Sequence, residues 1–236
     1  MTRTALLQRT PTGARRTASW RAGGSLGLLL LTGLGLAPAE AQDAAAIVGR
    51  AGQVYRNLTS LRARFTQVIS DRMIGDFESQ GTLVQAGNNH LLMQFTDPAG
   101  DRITLDGHHA WIYTPSSAAG QVIRVAIPAD PVYGLNVVAW ILDRPTERYR
   151  MRWLRAEPVG KRTADVVALE PITTGLPFTA VTVWLDRADA LPRRMEITET
   201  SGTRRTLILS ELRTNQPVSA STFRFRVPDG VRVIDQ

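Results

Sequence analysis

The side chains in this sequence that could do chemistry are few, and their spacing suits little of it. The histidines are His90, His108 and His109. The adjacent pair follows the turn dipeptide Asp106-Gly107, where consecutive side chains of an extended segment point to opposite faces. A shared zinc site needs His-x-His, or two His one helical turn apart, plus further ligands. The pair is therefore read as exposed hairpin residues, with no catalytic or metal role. Asp97, Asp101 and Asp106 flank two tight turns, but a calcium loop needs denser oxygen ligands around a fixed glycine, so they are read as turn formers. No Gly-x-Ser-x-Gly elbow, phosphate-binding loop or dinucleotide glycine fingerprint occurs. With no cysteine in its 236 residues, the chain has no disulfide, thiolate metal site, cysteine nucleophile or lipidation cysteine. By elimination the chain binds something, needs no cofactor and is not an enzyme.

The elements that would position a binding site are legible from periodicity. Asp43 caps a helix over 44–60, where Ile47, Ala51, Val54, Leu58 and Leu61 form one apolar stripe. The pattern then switches to period two at Leu61-Arg62-Ala63-Arg64-Phe65 and reads as a strand. Further strands are predicted near 77–85, 89–96, 101–106, 110–114 and 121–127, with turns at Asp97-Pro98-Ala99-Gly100 and Asp106-Gly107. Helical spacing of Val132, Leu135, Val138, Ala139 and Leu142 interrupts the sheet between Pro131 and Leu142. Strands resume near 148–154, 164–170, 178–186, 192–199, 203–213 and 222–227. About a dozen antiparallel strands joined by short turns make a mainly β protein, and a sheet that wide must curl.

The first 41 residues follow a different logic. Five arginines with no preceding acid lead into Leu26–Leu36, then Ala39-Glu40-Ala41 offers a small-x-small site. That order is a secretory signal peptide, with cleavage expected after Ala41 and residues 42–236 forming a single domain in the periplasm. Removing 1–41 takes the net charge from +7 to +3, too little to suggest a nucleic-acid binder. The arginines that alternate with apolar residues, as in Arg148-Tyr149-Arg150-Met151-Arg152-Trp153 and Phe223-Arg224-Phe225-Arg226, are read as a solvated outer face.

Residues 43–236 resemble the periplasmic outer-membrane lipoprotein carrier family (LolA). Leu61-Arg62-Ala63-Arg64-Phe65-Thr66-Gln67 resembles the family's aromatic-Thr-Gln first strand. Gln80-Gly81-Thr82-Leu83 opens a stretch to Pro115 that aligns without gaps and contains Asp97-Pro98, Ile103-Thr104-Leu105-Asp106-Gly107 and Trp111-Ile112-Tyr113-Thr114-Pro115. The close, Phe223-Arg224-Phe225-Arg226-Val227-Pro228-Asp229-Gly230-Val231, resembles the family's Phe-x-Phe-x-x-Pro-x-Gly-Val. Across 145–215 the likeness is one of strand pattern.

The resemblance implies an unclosed, antiparallel half β-barrel of about eleven strands with a helical lid. It implies a monomeric carrier of acylated lipoproteins, loaded by an inner-membrane ABC-type release complex and emptied by an outer-membrane receptor. The period-two set Phe65, Leu83, Leu91, Met93, Phe95, Leu105, Trp111 and Tyr113 is expected to face the lipid groove. The family's basic residue–Pro pair before the third strand, whose Arg holds the lid by hydrogen bonds, is Gly87-Asn88 here. Weaker closure of the empty lid is expected, unless another residue such as Arg102 or Arg124 supplies the clamp. A lipid- or lipoprotein-sensing half-barrel that signals to a protein partner is the alternative reading.

Overall fold

Asp43 accepts hydrogen bonds on its carboxylate from the backbone N–H of Ala45 and Ala46, at 2.9 and 3.2 Å, and so starts helix α1, Ala44–Arg56. The computed structural model describes residues 43–87, 89–127 and 136–236, which form one compact unit. The signal-peptide segment lies outside these residues. α1 ends four residues before its predicted limit, where Asn215 accepts from the backbone N–H and hydroxyl of Thr59. Its most deeply buried positions are Val48, Ala51 and Tyr55, with the predicted Ile47, Val54 and Leu58 flanking them half-buried.

The strands are β1 Leu61–Asp71, β2 Gly75–Ala86, β3 His90–Asp97, β4 Arg102–Asp106, β5 His109–Tyr113, β6 Gln121–Ala126, β7 Tyr149–Val159, β8 Arg162–Pro171, β9 Phe178–Asp186, β10 Pro192–Glu199, β11 Arg204–Thr214 and β12 Arg232–Asp235. They form one twelve-stranded sheet in the order β12-β6-β5-β4-β3-β2-β1-β11-β10-β9-β8-β7. Among the described strands only β12 and β6 run parallel. The sheet has two free edges and is therefore an open half-barrel. At the β7 edge a register shift between Trp153 and Arg155, with Arg150 and Arg152 exposed, discourages pairing with another chain.

Three short helices complete the unit: α2 Pro115–Ala118, α3 Val137–Leu142 and α4 Pro145–Arg148. Residues 131–135, the first part of the predicted second helix, lie outside the described residues. Val138, Ile141 and Leu142 of α3 join α1 over the sheet's inner face, and the main hydrophobic core lies between these helices and the strands.

One predicted strand is absent. Residues 222–227 have no ladder partner; a 3₁₀ turn at Ala220–Phe223 begins there instead. Phe223 is buried on the outer face against Val84 and Leu92, and the ring of Phe225 stacks on Trp111. The Phe-x-Phe spacing puts both rings on one side, as in a strand, but side-chain packing rather than backbone pairing holds this segment. The twelfth strand is β12, further along the chain.

Candidate functional site

The inner face between β1 and β4 is built by cross-strand registers that stack apolar residues in rows. Leu83 lies opposite Met93, Leu91 opposite Leu105, and Met93 opposite Ile103. Gly81 sits between Phe65 and Phe95 in the ladder, and a Cβ there would fall 2.1 Å from the Gln94 carbonyl oxygen. Only glycine fits. With no side chain between them, the rings of Phe65 and Phe95 meet edge to face, 5.1 Å apart. Phe65, Leu83, Leu91 and Leu105 are buried, while Met93, Phe95 and Ile103 are only half-buried.

Above these rows sits α3. Asn136 caps it, its side-chain amide oxygen accepting from the N–H of Ala139 at 3.1 Å, and Val137 and Val138 face the sheet across a small cavity. That cavity, of about 70 Å³, is bounded by Leu83, Leu91, Met93, Phe95, Ile103 and Leu207. Pockets that enclose a drug-sized ligand run to ~300–1,000 Å³. The cavity under α3 is well below that range. One end of the cavity is polar: Arg205 donates to Gln67 at 3.4 Å and pairs with Glu199 at 3.2 Å.

Trp111 and Tyr113 face the other way, correcting the phase expected for that strand. Ala110 opposite Leu105 and Ile112 opposite Ile103 share the inner face, so Trp111 and Tyr113 project outward. Phase on a five-residue strand depends on the turn before it, and one residue reverses every side chain. Here Asp106 settles it. One carboxylate oxygen accepts from the N–H of His108 and His109, and the other takes the Trp111 indole N–H at 2.7 Å. Those bonds hold the Asp106 carboxyl below its ordinary pKa despite opposing desolvation, the largest influence on it. Phe225 then stacks on Trp111 at 5.3 Å, Arg124 lies 5.5 Å over Trp111, and Arg102 lies 5.9 Å from Phe225.

The remaining chemistry-bearing residues serve local structure. His90 packs on Phe223, and Asp101 accepts from the backbone N–H and hydroxyl of Ser116. No group of three or more His, Asp or Glu with metal-binding geometry occurs among the described residues.

A family model described as outer membrane lipoprotein carrier protein LolA matches residues 56–226, well over half of the chain. The chain belongs to the LolA family. An outer-membrane lipoprotein carrier protein of Shewanella frigidimarina is 27% identical over 213 residues, covering 89% of this chain and 94% of the relative. One from Methylobacillus flagellatus is 24% identical over 192 residues, covering 77% and 85%. Among solved structures, an uncharacterized conserved protein from Thermus thermophilus has the same fold, with a TM-score of 0.53 at 14% identity, over 83% of this chain and all of that one.

Within this LolA-family chain α3 is held by an arginine that the alternating pattern assigns to the solvated outer face. Gly87 has φ +60 and open space around it, and Asn88 lies outside the described residues. Arg102 and Arg124 are on the outer face, Arg124 in an ion pair with Asp235, so neither clamps the lid. Arg148 does. It donates to the Trp140 carbonyl of α3 at 3.2 Å, pairs with Asp143 at 3.3 Å, and lies 4.9 Å over the Trp140 ring. A separate tie fixes α1 to the sheet: the buried Tyr55 hydroxyl donates to Gln85 of β2, whose amide donates to the Gly87 carbonyl at 2.9 Å. Burial pushes the Tyr55 phenol well above its usual range, so it remains a donor. The available signal for Arg148 was a basic residue just past a short apolar helix, where it can reach the last carbonyls.

Proposed function

We propose that this protein is a periplasmic carrier that shelters the acyl chains of lipoproteins between α3 and the inner face of β1–β4, and delivers them to the outer membrane. The observation that carries this reading is an apolar surface left half-buried under a six-residue helix. Burial of acyl chain contributes ~0.8 kcal/mol per CH₂, so an acylated protein does not leave a membrane for water unaided. A carrier must therefore offer apolar shelter that also opens. Lifting α3 would extend the small cavity along Met93, Phe95 and Ile103, and Arg205 with Gln67 would meet the polar linkage where the chains join the protein. In this reading Phe65, Leu83, Leu91 and Leu105 form the floor. Loading comes from an inner-membrane ABC-type complex and unloading goes to an outer-membrane receptor. The carrier acts as a monomer, does no catalysis, and is exported with cleavage after Ala41.

The test is to purify the tagged protein from the periplasm of a cell making labelled lipoproteins. A mature mass beginning at Gln42 and a copurified acylated protein, displaced by a fluorescent apolar probe, are expected. An unacylated partner that survives the probe would instead support a sensor. Retention in the cytoplasm would overturn the assignment of compartment.

A further inference from the structure

The largest exposed apolar side chains lie together at the tip of the β1–β2 hairpin. Met73 is 94% exposed, Ile74 71% and Phe77 50%. The tip is uncovered on its β3 side: β2 pairs with β3 only from Gln80 onward, so Gly75–Ser79 have β1 alone as strand partner over about 16 Å, while β1 itself stays paired with β11 as far as Ser70. It is also held in shape. One Asp71 carboxylate oxygen accepts from the N–H of Met73 and of Ile74, at 2.8 and 3.3 Å, and the other takes the Thr203 hydroxyl at 2.8 Å. Gly75, at φ +89, closes the turn. A rigid turn thus presents two apolar side chains that nothing in the described residues covers.

Register connects this tip to the groove. Ile69 lies opposite Phe77, Gln67 opposite Ser79, Phe65 opposite Gly81 and Ala63 opposite Leu83, so all of them share the inner face. Phe77 continues the row of Leu83 outward past the end of the cavity. Three side chains of this size expose on the order of 400 Å², about half of the ~800 Å² per partner in a standard protein interface. A bilayer needs no complementary partner surface, only apolar groups that reach its boundary. Arg72 and Arg204 are balanced here by Asp71, Asp76 and Glu78, so attraction to anionic headgroups is not the driving force.

We propose that the β1–β2 tip seats Met73, Ile74 and Phe77 in the headgroup–acyl boundary of a phospholipid bilayer, turning the inner face toward the membrane. The inference draws its purpose from the carrier reading, while its geometry stands apart from the identity of the cargo. Because the chain has no cysteine, Ile74→Cys carries a single environment-sensitive fluorophore. Zwitterionic phosphatidylcholine vesicles should shift its emission to the blue equally at low and high salt. The same label at His108→Cys, at the opposite end of the strands, should not respond. Adding Met73→Ser and Phe77→Ser to the Ile74→Cys protein should weaken vesicle partition roughly tenfold or more, with binding of an apolar probe in the groove unchanged. No response at position 74, an equal response at 108, or a shift that follows self-association without vesicles would each overturn the proposal. Probe binding without any vesicle response would sink the tip and leave the carrier standing; loss of both would sink the carrier reading as well.

Discussion

The inner face of the half-barrel has two halves built from the same alternation of apolar and polar residues, and they end in different states. Under β7–β9, α1 packs closely on the sheet: Val167, Leu169 and Val183 are 0% exposed and Val181 and Leu185 1%, with an open cleft of about 420 Å³ only at the rim, between Ala46, Ile47 and Arg50 of α1 and Leu185, Asp186 and Ala190. Under β1–β4 the cover is α3, and Met93, Phe95 and Ile103 stay half-buried beside a cavity. The cause is the cover. α1 has thirteen residues and a continuous stripe, whereas α3 has six and is tied by Arg148, Asn136 and the core contacts of its own apolar residues. A face closed by a long helix is core; the same kind of face under a short helix on polar ties can serve as a site.

The strongest way to break that contrast is to damage the closely packed half. Leu169→Ala should cost about 2–5 kcal/mol of stability, read by denaturant unfolding, because the site is fully enclosed and cannot collapse. Probe affinity of the remaining folded protein should be unchanged. Phe95→Glu in the other half should do the reverse. Stability should fall by only about 1 kcal/mol, for the lost edge-to-face contact with Phe65 and partial burial, while probe binding and lipoprotein transfer are lost because a carboxylate would line the groove. Unfolding of Phe95→Glu would place both halves in one core and erase the distinction.

Arg148→Ala sharpens the comparison at the lid. A charged hydrogen bond contributes ~1.5–3 kcal/mol, and each 1.4 kcal/mol alters an equilibrium about tenfold. Probe binding to the empty protein should tighten several-fold to tenfold as the closed state loses its advantage. The smallest effect is expected of Gly87→Arg. Arg148 already clamps α3, and the left-handed backbone at Gly87 costs an Arg roughly 1 kcal/mol, so probe affinity should stay within about twofold. A tenfold fall would reveal room for a second latch.

Strand existence and most inner-face phases were legible because local alternation encodes them: Phe65, Leu83, Leu91, Met93, Phe95 and Leu105 all lie on the inner face, as their period-two spacing predicts. Trp111 and Tyr113 were not, because a five-residue strand has as many aromatic residues on one face as apolar ones on the other, and the deciding bond comes from Asp106 across the turn. The segment at 222–227 misled for a related reason, since Phe-x-Phe spacing places rings on one side whether or not a ladder partner exists.

By itself, then, the sequence determined that the chain is a wide sheet with apolar inner rows, a capped first helix, no thiol chemistry and a LolA-like order of motifs. Each of these depends on residues near one another in the chain, where periodicity, turns and composition act. The tertiary structure alone decided that β1 lies beside β11, that α1 packs closely on one half of the inner face while α3 leaves the other half-buried, and that Arg148 holds α3. These depend on which distant surfaces meet, and on how much space remains when they do.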